Sequence, residues 1–244
     1  MRSSVVFAAT LLCVMLGFSY LLSAQNPQVA PPPAAERIPN MTFFVTSVGK
    51  GNGGNLGGLA GADAHCQMLG QAAGAPANRT WHAYLSTQGP GAINARDRIG
   101  RGPWTNVDGA EVATNLAQLH GDGGQGSIFN RTVGLTEKGR IIDGSKHDIL
   151  TGTQEDGKAF TDGMDHTCSS WTSNAAGAGS AQVGHSDRSA QGGGAGGGVG
   201  GGGGSTSDRG RPLWNTSHGT PGCSQENIVS SGGGAGLLYC FAIN

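Results

Sequence analysis

The sequence predicts one globular domain that mixes helices with short strands and carries glycine-rich insertions. Three observations point there. Apolar residues recur at helical period over 59–73, short β-branched and aromatic runs punctuate the rest, and all four tryptophans lie beyond residue 80 in a chain of net charge −1. Glycine accounts for 46 of 244 residues, and charged residues for 13%, about half the ordinary share. The same figures exclude other classes. Fifteen basic residues with no basic run make a poor nucleic-acid surface. The glycines follow no G-x-y period, so the chain is not collagen-like. After residue 24 no apolar run approaches the roughly 20 residues that span a bilayer.

Residues 1–24 read as an export signal. Arg2 gives a positive start, an apolar stretch follows from Val5 to Leu22, and Leu22-Ser23-Ala24 offers small residues before Gln25. The alternative is an uncleaved membrane anchor, and either way the remainder is exported, secreted or periplasmic. Of five cysteines, Cys13 falls in this leader, leaving Cys66, Cys168, Cys223 and Cys240. An even number in an oxidising compartment predicts two disulfides, with three pairings open. Residues 25–40 contain Pro27, Pro31, Pro32, Pro33 and Pro39, an extended spacer ahead of a domain at 41–244.

The domain opens with a strand at 42–47, Thr-Phe-Phe-Val-Thr-Ser. A glycine-rich turn leads to the clearest helix, where Leu59, Ala62, Cys66, Leu69 and Ala73 form one stripe and Gly74 stops it. Residues 81–86 read as a second strand. A shorter helix is expected over 109–119, with Asp108 as N-cap and Val112, Leu116 and Leu119 inward. The C-terminal half is turn-rich, with short strands expected at 127–130, 147–151, 169–173 and 237–243. Near 190–208 the run QGGGAGGGVGGGGGSTSD has too little apolar surface to offset ordering entropy, so a disordered insertion is expected. The 36 residues after it hold two cysteines and must complete the preceding core.

Leu59-Ala60-Gly61-Ala62-Asp63-Ala64-His65-Cys66, then Trp81-His82-Ala83-Tyr84-Leu85-Ser86, resembles the endostatin-like branch of the C-type lectin-like superfamily. Further elements follow in the family's order: Gly102-Pro103-Trp104, Thr151-Gly152-Thr153, Cys168-Ser169-Ser170-Trp171, Cys223, and the final Leu238-Tyr239-Cys240-Phe241. The resemblance implies an α+β fold of two helices packed on a mixed, twisted sheet, with a long loop-rich C-terminal half. It also implies the pairs Cys66–Cys240 and Cys168–Cys223, and a lectin-like, non-enzymatic function. The calcium-type sugar motif is not matched, since Thr216 follows Trp214-Asn215 where an acid is needed.

No G-x-S-x-G, H-E-x-x-H or P-loop lysine occurs, so no enzyme is expected. The anticipated partner is a glycan or a surface protein, met by loops on a stapled scaffold. Candidate ligand contacts are Trp214, Asn215 and His218 beyond the glycine tract, with Asp156 and Asp162 from an acidic turn. Trp104 and Trp171 are expected in the core. No cofactor is required. Calcium is the one open case, through Asp156, Asp162 and Asp165, although turn chemistry also explains the acids. His147, His166 and His185, with Asp148, Asp165 and Asp187 nearby, read either as loop histidines or as a metal site.

Overall fold

A computed structural model describes residues 40–122, 129–177, 179–188 and 213–244. The leader at 1–24, the linker to residue 39, the glycine-rich insertion near 190–208 and the start of the strand expected at 127–130 lie outside the described residues. In chain order the elements are β1 (Phe43–Val45), α1 (Gly58–Ala72), β2 (Trp81–Ala83), β3 (Trp104–Thr105), β4 (Glu111–Ala113), α2 (Leu116–His120), β5 (Asp148–Leu150), α3 (Cys168–Trp171), β6 (Gln182–His185), β7 (His218–Gly219), α4 (Gln225–Val229) and β8 (Gly234–Ala242). The result is a mixed α+β domain with two disulfides.

β8 is the axis of the main sheet. Along one edge it pairs antiparallel with β1, Phe44 opposite Cys240. Its other edge takes β2 antiparallel, Ala83 opposite Cys240, and β5 parallel, Leu150 opposite Leu238. β6 then pairs antiparallel with β5, and β7 with β6. Successive residues of a strand point to opposite faces, and β8 buries both. Leu238 and Cys240 pack with Ala62, Cys66 and Leu69 of α1. Leu237, Tyr239 and Phe241 pack with Phe43, Tyr84, Trp104, Phe129 and Trp214. That double burial explains why 237–243 reads as a continuous apolar run rather than an alternating one.

α1 follows its stripe, and Cys66 on the buried side bonds to Cys240 of β8. Asp63 on the same helix accepts from the Ala83 N–H at 2.8 Å and pairs with Arg98 at 2.6 Å, fixing α1 against β2. Gly70 admits the Trp81 ring, since a Cβ there would stand 2.7 Å from Trp81 Nε1. Cys168 bonds to Cys223. The two bridges span 174 and 55 residues. Loop-closure entropy alone assigns them about 5 and about 4 kcal/mol.

Two expected elements are corrected. The helix expected over 109–119 is a hairpin of β3 and β4 followed by the short α2. Asn106 Oδ1 accepts from the N–H groups of Asp108 and Ala110, and Gly109 takes φ 79°, so Asp108-Gly109 turns the chain instead of capping a helix. Asn115 is the true cap, accepting from Gln118 N. The strand expected at 169–173 is also absent. Residues Cys168, Ser169, Ser170 and Trp171 take φ of 49°, 57°, 55° and 67°, making α3 a left-handed turn. Such a conformation costs roughly 1–2 kcal/mol per non-glycine residue. It is held by Asp165, whose carboxylate accepts from Thr167 N and Ser169 N, by the Cys168 bridge, and by Trp171 Nε1 donating to Ser86 O at 2.7 Å. Besides two 3-10 turns, the described residues hold the four helical segments α1 to α4 where two were expected, and β6, β7 and α4 had no forecast at all.

Candidate functional site

One end of the main sheet gathers three imidazoles around one carboxylate. β5 begins at Asp148, which lies opposite His185 of β6, and β7 brings His218 alongside β6. His147 precedes β5, at the end of a 3-10 turn over Gly144–Lys146. Asp148 and Leu150 share a face of β5, as His185 and Val183 share a face of β6. The polar pair therefore continues the buried layer of Leu150 and Val183 at its edge. Asp148 Oδ1 lies 3.2 Å from His147 Nε2, 3.2 Å from His185 Nε2 and 3.6 Å from His218 Nε2. The Asp148 side chain is only 1% exposed, whereas the His147 and His218 side chains reach solvent at 24% and 30%.

The polar atoms do not satisfy one another. Asp148 Oδ1 and His185 Nε2 are shielded from water and have no aligned hydrogen-bond partner, although they lie close together. Asp148 Oδ2 is bound, accepting from Ser231 Oγ at 2.8 Å. His147 Nδ1 faces Gly144 O at 2.5 Å, and His218 Nδ1 faces Gly219 O at 3.3 Å. A carbonyl oxygen only accepts, so both rings carry a proton on Nδ1. Gly233 closes the cluster from the fourth side, where a Cβ would sit 3.1 Å from both Asp148 Oδ1 and His147 Nε2. Burial pushes the Asp148 carboxyl up, but the approach of His147, His185 and His218 outweighs it and holds the group far below the usual carboxylate range. Asp148 in turn raises His147 and His218, while burial lowers His185.

A second feature is an open cleft of about 500 Å³ lined by Gln88, Phe160, Met164, Asp165, Ser169 and Ser170. Phe160 stacks on His166 with ring centroids 3.9 Å apart, and Met164 is exposed. Gln88 ties the loop shut at the back, donating to Met164 O and accepting from His166 N. The left-handed α3 supplies the serine wall.

The expected ligand residues do not assemble. Trp214 is fully buried, and its Nε1 donates to Leu119 O at 3.0 Å. Packed among Tyr84, Phe129 and Tyr239, it has no face for a ligand, so its expected contact role is corrected to core packing. Asn215 is likewise buried, donating from Nδ2 to Tyr84 Oη, Gln154 O and Glu155 O. Asp156 pairs with Lys158 at 2.8 Å, and Asp162 accepts from His166 Nε2 at 2.8 Å. Asp165 is engaged with the backbone of α3. Among the described residues these acids do not form a common ligand group, whereas His147, Asp148 and His185 do, their ligand atoms all within 4.8 Å. His218 meets this cluster at Asp148. His166 stacks on Phe160, a residue of the cleft wall. Trp104 and Trp171 are buried, as expected. Phe160 and Gln88 escaped the sequence reading, because nothing in their neighbours marks them as sharing one cleft. Comparison with protein-family models and with curated protein sequences finds no match to either.

Proposed function

We propose that the chain is an exported, non-enzymatic binding module of C-type-lectin-like fold that recognises carbohydrate at the Phe160 cleft. The observation that carries the reading is the cleft itself. An aromatic ring and an exposed methionine lie beside amide, carboxylate and hydroxyl groups, the combination that sugar faces and sugar hydroxyls require. The fold reading is supported by the bridge from the first helix to the last strand, by the pairing of β1 with β8, and by the loop-rich half that builds the cleft. Export is supported by the leader sequence and by two disulfides. No helix among the described residues is long and apolar enough to cross a membrane.

The test is a glycan array probed with the purified chain from residue 25, once with calcium and once with chelator. Binding is expected in both buffers, because the cleft carboxylate is engaged by backbone N–H groups. Phe160→Ala is expected to abolish it while leaving the thermal transition in place. Absence of binding in either buffer would overturn the carbohydrate reading and favour a protein partner.

A further inference from the structure

We propose that His147, Asp148, His185 and His218 form a binding site for a first-row transition metal of the zinc class. Four observations, none of them drawn from the carbohydrate cleft, support this site. The first is geometry. Zinc–nitrogen and zinc–oxygen bonds of about 2.0–2.1 Å in a tetrahedron place neighbouring ligand atoms about 3.3 Å apart. The imidazole nitrogens stand 3.2, 3.2 and 3.6 Å from Asp148 Oδ1. His147, Asp148 and His185 form the close core, their ligand atoms all within 4.8 Å of one another, while His218 meets that core at Asp148 alone and would draw in as the fourth ligand.

The second is the direction of the lone pairs. Hydrogen-bonded His–Asp pairs satisfy both partners, yet Asp148 Oδ1 and His185 Nε2 are buried together without an aligned bond. Ligand atoms crowded together without bonding to one another are what an ion held among them would require. The third is the outer shell. Metal-binding imidazoles donate their other N–H to a carbonyl, which fixes the tautomer and leaves Nε2 free. His147 does so to Gly144 O and His218 to Gly219 O, and the ligating carboxylate is steadied by Ser231 Oγ. The fourth is charge. Asp148 is a buried carboxylate with no lysine or arginine among its described ion-pair partners. A divalent cation supplies the missing positive charge without requiring several crowded imidazoles to protonate at once. Three imidazoles and one carboxylate suit zinc, nickel or copper, and are a poor shell for calcium or magnesium, which demand oxygen.

The site draws its ligands from β5, β6, β7 and the turn before β5, so an ion there ties together the far edge of the sheet. The exposed edges of His147 and His218 are the approach from solvent.

The experiment is isothermal titration of the untagged, chelator-treated chain with zinc chloride, followed by X-ray absorption of the loaded protein. The expected result is one zinc per chain, a first shell of nitrogen and oxygen without sulfur, and no heat with calcium chloride. His185→Gln and Asp148→Asn should each weaken zinc by about 100-fold or more, and Ser231→Ala by about 10-fold, as outer-shell losses do. His82→Gln, outside the cluster, should bind as the parent does. Circular dichroism of each variant separates a lost ligand from a lost fold, and the absorption spectrum of the parent needs no variant. A folded parent chain that takes up no zinc would overturn the proposal. So would binding that survives both ligand substitutions, or a sulfur-containing shell.

Discussion

Two histidines teach opposite lessons. His120 sits in the aromatic layer, where Nδ1 donates to Leu116 O at 2.8 Å and Nε2 accepts from Tyr84 Oη at 2.8 Å. Every polar atom of that ring has a partner, and Asn215 and Tyr239 extend the same network, Tyr239 donating to Trp214 O at 2.7 Å. His185 is half-buried at the sheet's far edge, yet its Nε2 is shielded from water and has none. The first ring is satisfied by the protein alone. The second is incomplete as protein alone. Burial of a histidine therefore says little; the fate of its nitrogens says what it is for.

The contrast can be broken most severely at Trp214. If its role is packing, Trp214→Ala should cost about 3–5 kcal/mol in urea unfolding. A loss under about 1 kcal/mol would mean that the aromatic layer is not the core it looks to be.

A comparable effect, near 3 kcal/mol, is expected from acid. Burial lowers the His120 pKa to about 4 against an unfolded value near 6.5. The unfolded chain then binds the extra proton between those values, so this contribution is full above about pH 6.5 and is lost as pH falls toward 4. His147 and His218 pull the other way. Their raised values stabilise below about pH 6.5 and that contribution is lost as pH rises through their folded pKa. Urea titrations from pH 7 to 4.5 on the parent and on His120→Gln isolate the first effect: the variant should start less stable and lose less on acidification. Parallel slopes would show that His120 is not held neutral.

The smallest predicted change in stability is at Gly233. Gly233→Ala puts a methyl 3.1 Å from Asp148 Oδ1 and His147 Nε2. It should crowd the cluster, weakening zinc about 10-fold while moving the unfolding midpoint little, since the aromatic layer is untouched. Unchanged zinc affinity would mean that the ligands do not converge where Gly233 lies.

Much of the scaffold was legible because one-dimensional period carries it. The stripe from Leu59 to Ala73 announced α1, and the apolar run ending at Ile243 announced β8. Failures fell where local chemistry has two outcomes. Asp108-Gly109 suits a helix start or a hairpin turn, and the hydrogen bonds to Asn106 Oδ1 decide for the turn. Trp171-Thr172 has strand composition, yet Asp165 and the Cys168 bridge impose a left-handed path that no propensity encodes. At the site, His147, Asp148 and His185 were visible as polar candidates, but their meeting point depends on the register of β5 with β6. His166 looked equivalent by the same reading and lies elsewhere. Trp214 next to a glycine tract resembled an exposed platform, and only the packing of Phe129 and Tyr239 around it reveals an anchor.

The position of β8 has a consequence for the order of assembly. β1 and β2 both pair with β8 and with no other strand of the main sheet, across roughly 160 to 200 residues of chain. A chain delivered from its N-terminal end leaves both of them with open edges until residues 234–242 arrive, and Cys66 waits just as long for Cys240. Until then β1 and β2 lack their partner in the main sheet, although β3 and β4 can already pair with each other. A chain cut short before Gly234 keeps the pairing of β5 with β6 and has no central strand on which to build the rest.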